Sequence, residues 1–294
     1  MSYRQLMTRY GALLAYDGTA YQGFQRQPAP APSIQAAVET ALSRLCGRDV
    51  TIVAAGRTDA GVHAAGQVIA FDMAWRHSES DLQRAMNSQL PLDIALQSCW
   101  SAPDFHPRYD ALWRQYAYRI RTAGARSPLT ARYEWQLAGV ELDMARMQAA
   151  AEHCLGERDF ATFGRPPQAG SINTIRNVYM SRWSKVAEED GEIWTYRIRG
   201  TAFLYHMVRR LVGTLVMVGR GRLTVKEFAA ILNSRDLQRA KRLAPPQGLT
   251  LEAVGYPPGI WETARGESAK AESAHRWRNN DEASNSKDTR DKTG

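Results

Sequence analysis

Asp59 is the residue of this sequence whose surroundings best suit chemistry. It lies in the segment AAGRTDAGVH (residues 54–63), between Gly56 and Gly61 and two residues after Arg57. A carboxylate is ionised at neutral pH without a partner base, so it can act as a nucleophile or stabilise charge. The glycines allow unusual backbone conformations and close approach of a substrate, and the guanidinium can reach a phosphate or a carboxylate. The alternative is a tight turn in which Asp59 caps its own backbone, and spacing alone favours neither.

Four motifs occur in the order of a known enzyme family. The segment around Asp59 resembles the AGRTDxGVHAxGQV signature of the bacterial tRNA pseudouridine synthases that modify the anticodon arm. YDGTAYQGFQ (16–25) resembles the family's YDGxxYxGWQ, RQYAY (114–118) its RxYxY strand, and FLYHMVR (203–209) its FxxxMVR helix. Phe24 replaces the usual tryptophan, which exchanges one large aromatic for another. Motifs in this order across residues 10–256 exceed what chance similarity explains.

The resemblance implies roles for three residues, and the chemistry of base extrusion suggests a role for a fourth. Asp59 matches the reactive carboxylate, and the sequence leaves open whether it attacks C1′ of the ribose, attacks C6 of the base or acts as a base. Arg209 matches the arginine that pairs with it, and Tyr116 matches the tyrosine that lines the uracil pocket. Arg57 is expected to replace the target base as it leaves the stack. Residue type alone allows a helix-surface Arg209, a phosphate-binding Arg57, and a core position for Tyr116 or for Tyr118.

The implied reaction requires neither a cofactor nor a metal. Pseudouridine formation breaks the N1–C1′ bond of a uridine in RNA, turns the detached base and rejoins it through C5, so no atom enters or leaves. It requires exclusion of water and a pocket that holds the uracil. His63 lies four residues after Asp59, but the sequence has no further His or Cys cluster at metal spacing. The resemblance further implies tRNA as the partner, uridines 38, 39 and 40 as targets, and a homodimer.

The composition favours a polyanionic partner. The 294 residues include 38 Lys and Arg against 30 Asp and Glu, a formal net charge of +8. Such a surplus promotes binding to nucleic acid through counterion release, although a mildly basic surface without this role is the alternative. Residues 263–294 contain seven basic and six acidic side chains, so the positive charge belongs almost entirely to the rest of the chain.

The cysteines and the apolar pattern indicate a cytoplasmic protein. Cys46, Cys99 and Cys154 have neither a paired framework nor a CxxC spacing, which is typical of buried free thiols in a reducing compartment. The sequence shows no signal peptide and no run of about 18 apolar residues that could span a membrane.

The periodicity predicts an α/β (α+β) fold in which a βαββαβ unit occurs twice. The predicted strands are 10–16, 50–54, 67–71, 94–100, 114–121, 176–185, 193–199 and 249–256, and the predicted helices are 33–47, 81–89, 143–155 (closed by Gly156) and 204–218. Thr224 and Glu227 form a capping box for a further helix. We expect ferredoxin-like halves at 1–107 and 108–263, joined into a pseudouridine-synthase-type mixed sheet with a central basic cleft, and a disordered polar tail at 264–294.

The leading interpretation is therefore a tRNA pseudouridine synthase. The alternatives are a synthase with another RNA target, a noncatalytic tRNA-binding or tRNA-folding protein, and a metal-dependent nuclease. A purely binding surface would not need Asp59, because a carboxylate in an electropositive site repels phosphate. A nuclease would need clustered carboxylates or histidines, which the sequence lacks.

Overall fold

The first half of the chain forms one βαββαβ unit. The computed structural model describes residues 7–28, 30–166, 173–189 and 191–260. The elements of this half are β1 (Thr8–Tyr16), α1 (Ile34–Cys46), β2 (Val53–Ala54), β3 (His63–Met73), α2 (Glu79–Gln89) and β4 (Ile94–Ser101). Strand β1 lies between β3 and β4 and is antiparallel to both, while β2 pairs with β3. This strand order, 4-1-3-2, is that of a ferredoxin-like unit.

The second half repeats this order with three additions. Its elements are β5 (Trp113–Ala123), β6 (Trp135–Gln136), α3 (Met144–Glu152), β7 (Gly156–Asp159), β8 (Ile175–Glu188), β9 (Gly191–Gly200), α4 (Met207–Gly219), α5 (Val225–Asn233) and β10 (Leu249–Gly255). Strand β5 lies between β10 and β9, and β8 pairs with β9. The short strands β6 and β7 and the helix α5 are additions to the repeated unit. The predicted duplicated fold is confirmed.

The two halves meet at the beginning of β3. There, Thr250 and Leu251 of β10 pair in parallel with His63 and Ala64. One ten-stranded sheet results, with the order β4-β1-β3-β10-β5-β9-β8-β7. Because the segment carrying Asp59 directly precedes β3, this junction places that segment against the second half of the chain.

Local sequence signals fix several helix ends. The Ser33 side chain accepts a hydrogen bond from the backbone of α1, and Gly47 ends this helix in the left-handed conformation, with φ 69°. The predicted capping box of Thr224 precedes α5. A second capping box, formed by Ser78 and Asp81, starts α2 two residues earlier than predicted.

Three predictions about elements need correction. Helix α3 ends at Glu152, and Gly156, with φ 80°, begins β7 instead of closing the helix. The segment 50–54 contributes only two residues to the sheet, because only Val53 and Ala54 pair with β3. Helix α4 begins at Met207 and not at residue 204, since the preceding residue has a left-handed backbone. The predicted tail, 264–294, lies outside the described residues.

Candidate active site

The segment 16–25 supports the loop that carries Asp59. The Phe24 amide donates to the Thr58 carbonyl at 3.0 Å, and the Gly61 amide donates to the Tyr21 carbonyl at 3.3 Å. Gly23 has φ 98°, and a Cβ there would lie 2.9 Å from the Thr58 carbonyl oxygen. Only glycine therefore allows the two segments to approach so closely.

Buried side chains fix the same loop from other sides. The Tyr16 hydroxyl lies 2.8 Å from Thr58 Oγ1, and burial raises the pKa of Tyr16 to about 12, so it stays a hydrogen-bonding phenol. Gln67 Nε2 donates to the Gly56 carbonyl at 2.9 Å. Gly61 has φ 74°, as its glycine predicts, but Gly56 has no left-handed φ and a Cβ there would meet no atom within 4 Å. The chain therefore uses glycine's conformational freedom at residue 61 and not at residue 56.

Arg114, the first residue of the RxYxY motif, ties this loop to the second half. Its guanidinium donates to the carbonyls of Ala55 (2.8 Å), Arg108 (2.8 Å) and Thr201 (2.9 Å). Burial lowers the pKa of Arg114. Arg114 belongs to the RxYxY motif, but the sequence predicted no role for it.

Asp59 and Arg209 form an ion pair between the two halves, 150 residues apart in sequence. Arg209 Nη1 donates to Asp59 Oδ2 at 2.9 Å, while its Nε donates to the Ala244 carbonyl at 2.9 Å. The side chains are only 18% (Asp59) and 10% (Arg209) exposed. The carboxylate thus contacts the first turn of α4 and does not cap its own turn. Arg209 is buried, which excludes the helix-surface alternative.

His206 is a second neighbour of this carboxylate. Its Nε2 lies 3.5 Å from Asp59 Oδ2. His206 precedes α4 with φ 64° and makes no side-chain cap to the helix. Burial lowers the pKa of His206, opposed by the charge of Asp59 and reinforced by Arg209. The residue belongs to the FLYHMVR motif, but sequence reasoning gave it no function.

A basic cleft of about 840 Å³ surrounds Asp59. Among the described residues that line it, Asp59 is the sole carboxylate. The cationic lining consists of Arg57, Arg108, Arg114, Arg176 and Arg209. Arg57 is exposed, and within the described ranges its guanidinium has no acidic partner. The cleft is therefore electropositive around one carboxylate, which suits a polyanionic substrate.

Tyr116 and Tyr118 lie in different environments. Tyr116 lines the cleft, and its ring contacts Phe203 edge-on at 5.2 Å between centroids. Burial raises the pKa of Tyr116, and its hydroxyl has no hydrogen-bond partner in the part of the chain that the structure describes. The Tyr118 hydroxyl instead donates to the Pro245 carbonyl at 2.8 Å, and its ring is fully buried. Tyr118 therefore belongs to the core.

His63 is a structural residue. Its Nδ1 accepts from the Gly18 amide at 3.1 Å, and its Nε2 lies 3.0 Å from the Arg132 carbonyl, to which it donates. Burial lowers the pKa of His63, and the Asp17 carboxylate, 3.2 Å from Nδ1, opposes this shift. Over the described ranges, no three His, Cys, Asp or Glu side chains gather as a group that could hold a metal ion.

The cysteines differ in burial. Cys99 and Cys154 are buried free thiols, and burial raises the pKa of each to about 12. Cys46 is a free thiol but only partly buried, which corrects the expectation for this residue. No helix within the described residues is long and apolar enough to cross a membrane.

Comparison with known proteins finds similarity across both halves. The family profile described as tRNA pseudouridine synthase matches residues 12–110 and 150–257. The tRNA pseudouridine synthase A of Chloroflexus aurantiacus is 42% identical over 255 residues, which are 86% of this chain and 91% of that protein. The Neisseria gonorrhoeae protein of the same name is 39% identical over 85% of this chain and 92% of its own length. The Myxococcus xanthus protein of that name is 41% identical over 86% and 94%.

Proposed function

Because the chain belongs to the tRNA pseudouridine synthase family, and is therefore an isomerase that modifies tRNA, we propose that its targets are uridines 38, 39 and 40 of the anticodon stem-loop. The choice of these positions is supported by the match of residues 54–63 to the signature of synthases that modify the anticodon arm. The catalytic assignment depends on one observation: Asp59 is the sole carboxylate among the described residues lining a basic cleft, and Arg209 holds it there.

Asp59 is the proposed nucleophile. The pair with Arg209 fixes the rotamer of the carboxylate and keeps one oxygen on the guanidinium. Desolvating two charges is costly, and the 2.9 Å contact offsets part of this cost only because its geometry is good. The atoms involved in attack at C1′, attack at C6 and proton abstraction from the ribose all lie close to the N1–C1′ bond, so a carboxylate positioned at that bond can perform any of the three.

Tyr116 and Arg57 are the proposed substrate-binding residues. Tyr116 lines the cleft with a buried ring and a hydroxyl that no described residue engages, so it can stack on the detached uracil or hydrogen-bond to it. Arg57 lies two residues before Asp59 and is exposed without an acidic partner among the described residues. A nucleotide must leave its helical stack before its base can react, and Arg57 can fill the vacated space.

The assembly proposed with this activity needs both halves of the fold. Residues 1–107 supply Asp59 and residues 108–263 supply Arg209 and Tyr116, so neither half alone holds a complete site. We further propose a homodimer that acts in the cytoplasm without a metal or other cofactor, with residues 264–294 outside the catalytic unit. The reducing environment is supported by three free thiols.

Mapping pseudouridine in tRNA from cells with and without this protein tests the proposed targets. We expect pseudouridine at positions 38, 39 and 40 to disappear in its absence and to return with a wild-type copy but not with an Asp59→Asn copy. Purified protein should also modify a transcript whose only uridine within these positions is U39. Pseudouridine lost at another site, with positions 38–40 intact, would instead indicate a synthase with a different target.

A further inference from the structure

Two exposed tyrosines in the cleft each stack on a neighbouring histidine. The ring centroids of Tyr205 and His206 are 3.7 Å apart with planes 27° from parallel, and those of Tyr109 and His106 are 4.1 Å apart at 30°. Both tyrosines line the cleft around Asp59, and they are 54% (Tyr205) and 74% (Tyr109) exposed. Each histidine covers one ring face, so the exposed area leaves the other face accessible.

Backbone hydrogen bonds hold the His106 ring in place. Its Nδ1 accepts from the amides of Arg108 and Tyr109, each at 3.2 Å. Asp110 Oδ2 accepts from the His106 amide at 2.8 Å, which closes the turn. The ring that supports Tyr109 is therefore positioned before any substrate arrives.

Tyr205 is held by the fold and lies close to the reactive carboxylate. Its amide donates to the Arg165 carbonyl at 2.9 Å. Leu204 is buried while Tyr205 between it and the helix is exposed, and the next residue, His206, has φ 64°. A left-handed backbone at a residue other than glycine costs free energy and persists where the surroundings enforce it, often at functional sites. Since His206 Nε2 lies 3.5 Å from Asp59 Oδ2, only one imidazole separates the Tyr205 ring from that carboxylate.

We propose that Tyr205 and Tyr109 are stacking platforms for unpaired tRNA bases beside the target uridine. Every base has a π face, so stacking on an aromatic side chain tolerates any sequence, as an enzyme with several target positions requires. Arg108 lies next to Tyr109 in the chain and lines the same cleft, where its charge can contact the phosphate of the stacked nucleotide. Tyr205 holds the base nearer to the reacting uridine, and Tyr109 holds one farther along the strand. This inference rests on the proposed function because it requires tRNA in the cleft.

Leucine and phenylalanine variants separate the ring from its hydroxyl. We expect Tyr205→Leu and Tyr109→Leu each to raise the Kd for an unmodified tRNA transcript by roughly five-fold to 100-fold, the range for losing one stacked base. Tyr205→Phe and Tyr109→Phe should bind as the wild type does. The matched control is Tyr179→Leu, since Tyr179 is 51% exposed on β8 but does not line the cleft. Because Tyr205 is closer to Asp59, its leucine variant should also slow the single-turnover rate, whereas Tyr109→Leu should act mainly on Kd.

Abasic transcripts identify the stacked base. Single abasic sites are placed through the anticodon arm, and the Kd is measured for the wild type and for each leucine variant. At the stacked position, combining the abasic site with the leucine substitution should raise the Kd no more than either change does alone. The inference is overturned if both leucine variants bind like Tyr179→Leu, if the phenylalanine variants lose as much affinity as the leucine variants, or if every abasic site is additive with both. Modification of U39 by the wild type is measured in parallel. Absence of modification would count against the proposed function, whereas the Kd values alone test the stacking.

Discussion

Two ion pairs between an arginine and a carboxylate have different roles in this fold. In the second half, Arg121 Nε donates to Glu134 Oε2 at 2.7 Å and its Nη1 donates to Glu188 Oε2 at 2.8 Å. At the junction of the halves, Arg209 contacts Asp59 through Oδ2 alone. Both Glu134 oxygens accept from Arg121, whereas Asp59 Oδ1 has no hydrogen-bond partner among the described residues.

This difference distinguishes a pair inside the fold from a pair at the cleft. The side chains of Arg121 and Glu134 are 6% and 7% exposed, and the hydrogen bond to Glu134 is the main cause that raises the pKa of Arg121. Asp59 is 18% exposed and faces a cleft. Glu134 accepts hydrogen bonds at both oxygens, is almost fully buried and does not line the cleft, so a substrate there cannot reach it. Asp59 lines the cleft and keeps one oxygen without a hydrogen-bond partner among the described residues, so it is available to a substrate.

Removing the charge of Asp59 should have the largest effect. We expect Asp59→Asn to lower the single-turnover rate of pseudouridine formation by at least about 1,000-fold, because the amide keeps the shape of the side chain and removes the charge of the proposed nucleophile. The Kd for tRNA should stay within a few-fold of the wild type. Rapid-quench assays on a transcript with one target uridine, together with a binding titration, measure both quantities. Substantial turnover by this variant would show that another group performs the chemistry.

Removing Arg209, the partner of Asp59, should have the second-largest effect on the rate. Arg209→Ala should slow the single-turnover rate by about 100-fold, since it removes the group that orients the carboxylate, and it should affect tRNA binding much less. Adding it to Asp59→Asn should cost little further, because residues that act as a unit are not additive. The single-turnover rates and Kd values of both single variants and the double variant test these two expectations. A defect in binding alone would assign Arg209 to a phosphate contact.

Breaking the structural pair should change stability instead of chemistry. Glu134→Ala leaves Arg121 buried with only the half-exposed Glu188, and we expect the free energy of unfolding to fall by about 3 kcal/mol. The folded protein should keep a single-turnover rate near that of the wild type. Urea unfolding monitored by tryptophan fluorescence, compared with Asp59→Asn as the cleft counterpart, measures the difference. Equal loss of stability in the two variants would remove the distinction between the pairs.

The sequence predicted the duplicated topology because both halves carry strong local signals. The N-cap Ser33, the C-cap Gly47 and the Thr224 capping box act over a few residues, and these three appear as predicted. Strands β6 and β7 were missed because each has four residues or fewer and forms only by pairing with a distant strand. Such pairing depends on tertiary context and not on local propensity.

The candidate site was predictable to the extent that family motifs name its residues. Asp59 and Arg209 were paired by resemblance, and no local pattern joins residues 150 positions apart. The left-handed backbone of His206 could not be foreseen, because histidine rarely adopts it and its surroundings impose it. Tyr109 lies in none of the quoted motifs, so its place in the cleft follows only from the folded chain.

The basic lining of the cleft also predicts that the affinity for tRNA depends strongly on the salt concentration. Arginines that lack acidic partners in the described structure should neutralise phosphates, so the Kd for tRNA should rise about 100-fold between 50 and 200 mM salt, equivalent to roughly four phosphates. Removing residues 264–294, which are nearly neutral in sum, should change this slope little. Filter-binding titrations of the full chain and the truncated chain give the two slopes. If truncation removed most of the affinity, the tail and not the cleft would be the docking surface.

Chelation should have the smallest effect. Asp59 has a guanidinium as its charge partner, at 2.9 Å, and the reaction moves a base between two bonds to the same ribose without a redox step. We therefore expect purified enzyme dialysed against EDTA to keep its full single-turnover rate on a metal-independent stem-loop transcript. The stem-loop is needed because full-length tRNA depends on Mg²⁺ for its own fold, and its melting curve in EDTA is the control. Activity that EDTA abolished and one divalent metal restored, with the stem-loop folded throughout, would mean that a metal ion supports the charge of Asp59 where the structure assigns that role to Arg209.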